Sequence, residues 1–472
     1  MKVFLFGVLA AVAACGGGSD GGGGGDECGP IDPAGARANT LAAKIMQPAT
    51  LKKSCSPYAL DQSVTVTAAL TIEAGVVVEA CQGGCKSRIT IAGGGSIDAQ
   101  GTAEEPILFT SRWRNDMQGP ARGQWTGMLF LEVTGSVLRH VTFQYGGGHY
   151  GANPDDDEFN RYEFPEDGTL LSDSSSGLIV EDVRIEQSRG YAVGATTSDE
   201  YDADATTSLY ASFDRVTITD SQKGVWIPSN QGGALGADVC FVERDAGGLC
   251  PATLAEDGVT VFAHLDDAFG RTPENVGRDA TWKVYGAPWK AENINVVGGS
   301  TLTIEDGVTL LMTDLGGIYV GLGGPGALKM IASAPGGITV TSATEAPPPG
   351  DHWKGLYIWD MADAETEIRN VDLGWGGRQS PRQDLSPPAI IGVYNTGDAS
   401  AQPTIIGNTV HDSAGAGIHW NCLSAPIGLE PNDGSNTSGD NISCSVQIGS
   451  GIAENYGCEC PGSCAEPRCQ NP

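Results

Sequence analysis

The densest run of groups able to do chemistry is Asp155-Asp156-Asp157-Glu158, with Arg161 close behind. Clustered carboxylates beside a guanidinium can hold calcium or contact a sugar. The plainer reading of the same run is a solvated acidic loop. A second set, Asp199, Asp202 and Asp204, has spaced carboxylates that could ligate Ca²⁺ through oxygen. It lacks the Gly and the distal Glu of an EF-hand loop. No organic cofactor is expected, and calcium is the one ion these loops would take.

The aromatic residues suggest binding. Trp353, Trp359 and Trp375 fall in neighbouring segments, and Trp125 and Tyr145 hold places matching Trp353 and Trp375 earlier in the chain. Pointing outward on one face, such rings form a ladder that stacks on sugars. Pointing inward or at corners, they fill a core. The recurrence of Trp before Gly fits packing better.

Most enzyme signatures are absent. There is no Gly-x-Ser-x-Gly, no Gly-Lys-Ser/Thr and no His-Glu-x-x-His, and the six His have no metal-ligand spacing. Hydrolysis of a glycoside needs two facing carboxyls, about 5–5.5 Å apart for retention or about 6.5–9.5 Å for inversion. The sequence names no such pair.

Cysteine speaks to location. Met1 to Cys15 reads as one Lys, an apolar stretch too short to span a bilayer, two small residues and a Cys. Val12-Ala13-Ala14-Cys15 resembles the lipobox of bacterial lipoproteins. That resemblance implies cleavage before Cys15, acylation of its thiol and an envelope location. Gly16 after the Cys favours the outer membrane by analogy with enterobacterial sorting. Gly16 to Gly25 is a flexible tether, reaching roughly 20 Å for a dozen residues. The other Cys cluster locally: Cys28 with Cys55, Cys81 with Cys85, Cys240 with Cys250, Cys422 with Cys444, then Cys458, Cys460, Cys464 and Cys469. Twelve thiols in an oxidising compartment read as disulfides between neighbours. The last four could instead hold zinc, although Cys-x-Cys is not the usual spacing.

The chain has 27 basic and 58 acidic residues. Nucleic acid is excluded as a partner, since phosphate binding needs a basic surface. The acidity fits either cation binding or an extracellular or salt-adapted surface, and the second is preferred.

The elements that must position these residues are strands. Short stretches alternate apolar and polar residues between Gly, Asn, Asp and Pro, which is a strand period. Long segments then recur in order. Leu70-Thr71-Ile72-Glu73-Ala74-Gly75-Val76 returns as Leu302-Thr303-Ile304-Glu305-Asp306-Gly307-Val308. Gln124-Trp125-Thr126-Gly127 returns as His352-Trp353-Lys354-Gly355, and Leu138 to Gly147 returns as Ile368 to Gly377. A duplicated unit explains this. A shorter motif, apolar-x-polar-Val-x-apolar, starts at Leu138, Val180, Phe213 and Ile368. The His, Asp and Asn before the Val suit a left-handed or bridging corner.

These patterns resemble the right-handed parallel β-helix proteins, the fold of pectate lyases and many bacterial surface proteins, over about Ser63 to Trp420. The resemblance implies coils whose strands stack on one another and a continuous core. It brings a rival function, a polysaccharide lyase or glycoside hydrolase. The hydrolase motifs fail here: Asn408-Thr409 is followed by Val410 where that family has Asp, and His149 is flanked by Gly148 and Tyr150.

The expected fold is therefore all-β, a right-handed parallel β-helix built from a duplicated unit with a Cys-rich C-terminal tail. The expected limits are a signal peptide (1–14), lipidated Cys and tether (15–27), N-terminal cap (28–62), first unit (63–231), insertion or connector (232–281), second unit (282–421) and disulfide-rich region (422–472). The expected role is non-catalytic: an anchored protein presenting a surface to a polysaccharide or a surface protein.

Overall fold

The computed structural model describes residues 28–35, 37–80, 87–112, 119–148, 168–196, 208–251, 258–262, 275–344, 347, 352–359, 361–378, 388–394 and 403–421, plus short strands beyond 436. Each turn of the chain lays down three strands. One turn runs Ala69–Ile72, Val77–Ala80 and Arg88–Ile91; the next runs Ser96–Gln100, Ile107–Ser111 and Gly127–Leu131. In these turns every strand pairs in parallel with its counterpart one turn on: Leu70 with Ile97, Val78 with Phe109, Ile89 with Met128. This is a parallel β-helix.

Alternation sends every second residue inward, and the parallel register then stacks apolar residue on apolar residue about 4.8 Å apart. The first sheet stacks Leu51, Ile72, Ala99, Leu138, Val180 and Phe213. The second stacks Tyr58, Val78, Phe109, Phe143, Ile185 and Ile218. All of these are buried. No single turn could bury its own inner face, so the turns are stable only in series.

The corners carry the conformation that the motif predicts. His140, Asp182 and Asn370 have φ of 47°, 53° and 57°, each just before a buried Val. Arg215 does the same at 52° without a short polar side chain. Its guanidinium instead grips Asp182 one turn back, with Nε and Nη2 each 2.9 Å or less from a carboxylate oxygen.

The duplication extends to single hydrogen bonds. The Trp125 indole N–H donates to Gln144 O at 2.9 Å, and that of Trp353 donates to Gly374 O at the same distance. Gly127 and Gly355, two residues after each Trp, have φ of 123° and 134°. A Cβ there would lie 2.4 Å from Thr169 O and 2.2 Å from Ala389 O, so the corner admits only Gly.

The two units form one stack. The third sheet runs without a break from Lys223–Pro228 through Val259–Phe262 and Trp289–Val296 to Thr309–Val320. The stretch 232–281, read from the sequence as an insertion or connector, therefore supplies strands of the stack: Val239–Cys240, Val259–Phe262 and Ala280–Trp282. The first sheet does break. It ends at Tyr210–Asp214 and a new one begins at Ala280–Trp282. A 3₁₀ turn, Ser229–Ala234, packs against both, and Arg278 Nε donates to its Asn230 O at 3.0 Å.

Candidate functional site

Beyond the seam, the C-terminal halves of the long strands start a row that continues through Leu356–Ile358, Ala389–Val393 and Ala416–Asn421. Its inner residues are Ile318, Leu356, Ile391 and Ile418, all buried. Alternation then turns Tyr319, Tyr357, Gly392 and His419 outward, and these four stand in register on successive turns. Trp359 and Tyr394 follow two residues after Tyr357 and Gly392 on the same face.

The outward rings form a connected cluster. Tyr319 and Tyr357 stack with centroids 5.6 Å apart, Tyr357 and Tyr394 lie 6.0 Å apart, and Tyr394 stacks on Trp359 at 5.2 Å and on His419 at 5.6 Å. Gly392 makes this possible. A Cβ there would fall 2.5 Å from Tyr394 Cε2 and 2.9 Å from Tyr357 Cδ1, so the bare backbone is the bed on which both rings lie. Tyr357, Tyr394 and His419 are buried, while Tyr319 and Trp359 are half-buried and form the open part of the surface. The Trp359 indole N–H is shielded and has no partner among the described residues.

The cluster carries no charge near neutral pH. Burial, and then the neighbouring Tyr394 and Tyr319, push the Tyr357 phenol well above its ordinary range. Its hydroxyl donates to Lys354 O at 2.8 Å. Burial pushes the His419 imidazole down to about 4. Such a face can stack against an apolar ring surface.

The carboxylates nearer the N-terminus are arranged as cross-turn ladders. Arg139 Nε donates to Glu181 Oε2 at 2.8 Å, and Arg215 joins Asp182 to Asp214. A hydrogen bond from Ser212, then one from Arg139, lowers the Glu181 pKa. The Arg215 hydrogen bond lowers Asp182, that of Arg184 lowers Glu243, and that of Ser333 lowers Asp306. All four move down, whereas a general acid must move up. These ladders hold turns together.

Among the described residues, the ligand-type groups that converge are Asp238, Cys240 and Cys250. They do not fit a metal. Cys240 and Cys250 are joined as a disulfide, which leaves no thiolate, and Asp238 is 2.7 Å from Arg244 Nη1.

The structure separates the sequence candidates. Trp353 is fully enclosed at 0 % exposure and packs the interior, so it cannot stack on a ligand. Trp375 is a half-buried corner residue at φ 56°, edge-on to His352. Trp359 alone of the three joins the outer cluster. Asp155, Asp156, Asp157, Glu158 and Arg161 lie outside the described residues, as do Asp199, Asp202, Asp204 and Cys15. Cys28 is bonded to Cys55, and Cys240 to Cys250, as spacing suggested. Cys81, Cys85, Cys422, Cys460 and Cys464 lie outside the described residues. Cys444 lies in strand Ile442–Ser445, and Cys458 is opposite Cys469 in an antiparallel pair.

Comparison with known proteins agrees with this geometry. Residues 43–159 match the family model described as a pectate-lyase-like β-helix domain. The matched segment is similar to domains of that kind, and its parallel strands agree with a β-helix. It spans about a quarter of the chain and lies wholly within the first unit and the cap before it. No curated protein and no solved structure matches. The outer aromatic cluster lies beyond the matched segment. Its signal in the sequence is an aromatic or His flanked by inward aliphatics, as in Ile318-Tyr319-Val320 and Leu356-Tyr357-Ile358.

Proposed function

We propose that this chain is a non-catalytic lipoprotein of the cell envelope, anchored through Cys15, whose β-helix presents its outer face to a glycan. The supporting observation is the half-buried pair Tyr319 and Trp359, the open part of an aromatic cluster backed by the buried Tyr357, Tyr394 and His419 on a rigid stack. Sugar rings bind such surfaces through their C–H faces. The Gly-rich run after Cys15 would hold the stack away from the membrane. The outer membrane is the proposed location, and a surface protein is the other partner this face would accept.

The second reading is a polysaccharide lyase or hydrolase. Its support is that Asp155 to Glu158 fall inside the pectate-lyase-like match and have no counterpart in the second unit. The deciding experiment incubates the full-length protein with a polysaccharide panel, with and without calcium. Retention without released oligosaccharides supports the binding reading, and Trp359→Ala should reduce it. Products that vanish in Asp156→Asn or Arg161→Ala would replace it with catalysis.

A further inference from the structure

A groove of about 200 Å³ opens on the third sheet where the first unit hands over to the second. Tyr191, Lys223, Thr260, Lys290, Glu292 and Thr313 line it. The register shows how it is built. Tyr191 pairs with Lys223, and Trp226, Thr260 and Lys290 stand in line on three successive strands. Trp226 and Lys290 are thus two strand spacings apart, about 10 Å. Trp226 is half-buried, its ring 6.2 Å from that of Tyr191. One wall is therefore aromatic and the other carries a cation.

Charge makes this groove unusual for the molecule. Several basic side chains of the stack are tied to carboxylates: Arg139 to Glu181, Arg184 to Glu243, Arg215 to Asp182, Lys329 to Glu365. Lys223 is different. It is exposed, its ammonium lies 4.9 Å from the Tyr191 ring centre, and it has no carboxylate partner among the described residues. The ring holds the ammonium in place without neutralising it. Lys290 and Glu292 complete the lining on the far side. Thr313 Oγ1 is shielded and has no partner among the described residues. A cation with no carboxylate partner among the described residues, on a chain of net charge −31, makes the groove locally less acidic than its surroundings.

We propose that this groove binds one acidic sugar residue, a uronate or a sulfated sugar, within a glycan chain that is otherwise mostly neutral. The sugar's apolar face would lie on Tyr191, which packs beside Trp226, and its anionic group against Lys223 on the side facing Lys290. The restriction to a sparsely charged chain follows from the net charge, which repels a polyanion everywhere outside the groove. This inference rests on the glycan-binding reading and adds the class of glycan.

The test uses two pairs of probes with the full-length protein in calorimetry. One pair is a glucuronic-acid-branched xylan oligosaccharide and its carboxyl-reduced form. The other is a sparsely sulfated galactan oligosaccharide and its desulfated form. In at least one pair the acidic member should bind roughly tenfold more tightly, as expected for one charge-assisted contact. Lys223→Gln should erase that preference while leaving the uncharged member unaffected. Lys223 is exposed, so this variant should keep its melting temperature, and Lys290→Gln provides the second reading. Equal binding of both members in both pairs, or a preference that survives Lys223→Gln, would overturn the acidic-sugar site alone. Absence of binding by these probes and by every polysaccharide in the panel would overturn the glycan reading together with it.

Discussion

His411 Nε2 stands 3.1 Å from Asp372 Oδ1, on the strand one turn back, while its Nδ1 lies 2.7 Å from Asp412 Oδ2. The imidazole thus bridges two carboxylates near the C-terminal end of the stack. Burial alone would lower its pKa. The Asp412 hydrogen bond and the charges of Asp372 and Asp412 outweigh burial, and the pKa rises above 6.5. A group with a raised folded-state pKa contributes stability fully below its unfolded pKa and loses it as pH climbs through the folded one. Melting should therefore fall, from about pH 6.5 upward, more in the native protein than in His411→Gln. Parallel pH–melting curves for the two proteins would refute the bridge.

His419 behaves in the opposite sense. Its pKa is down to about 4 because the ring is buried against Tyr394. Acidification protonates the unfolded chain first, so stability is lost as pH falls from about 6.5 toward 4. The loss is on the order of 3 kcal/mol once both states are protonated. His419→Phe should flatten this acid limb while leaving the alkaline limb set by His411. An unchanged acid limb in that variant would mean that the ring is solvated.

Trp353 and Trp359 are six residues apart and should separate folding from binding. Trp353 is enclosed and hydrogen-bonded, so Trp353→Ala should cost about 3–5 kcal/mol, as large aromatic deletions in cores do. Trp359 is half-buried on the outer face. Trp359→Ala should lower the melting temperature much less and should weaken retention on a polysaccharide column. A larger melting loss at Trp359 than at Trp353 would reverse these assignments.

The legible part of this chain is the part that repeats. His140 and Asn370 advertise the corner because few residues tolerate positive φ, and the Leu70 and Leu302 segments advertise the coil because duplication copied both. The seam was illegible for the same reason. Ser229–Ala234 and Val239–Cys240 occur once and are too short to show a period, so they resembled an insertion. The Tyr319, Tyr357, Tyr394 and His419 row was also hidden. Turns differ in length, so residues that end up neighbours have no fixed spacing in the chain. Trp353 stayed open to binding, with packing the preferred reading, because a Trp in a coil reads the same whichever way it points, and its enclosure bears the packing reading out.

The Cys28–Cys55 disulfide closes the cap over the first turn, and it should govern how that end behaves. It links residues 27 apart in sequence, and Tyr58, whose hydroxyl donates to Cys28 O at 2.8 Å, is buried beneath it. Loop-closure entropy gives about 3.5 kcal/mol for such a bridge, against about 2.7 kcal/mol for the ten-residue separation of Cys240–Cys250. The location matters more than the difference. Freeing the cap would uncover the edge of the first turn at Ala49–Leu51 and Tyr58–Leu60, and an open parallel edge recruits another strand. The double variant Cys28→Ser/Cys55→Ser should therefore melt lower and also associate with concentration in sedimentation. Cys240→Ser/Cys250→Ser should mainly melt lower, because Val239–Cys240, although it ends the second sheet, is a two-residue strand and offers little edge. Association in the second variant and not in the first would place the vulnerable edge at the seam instead.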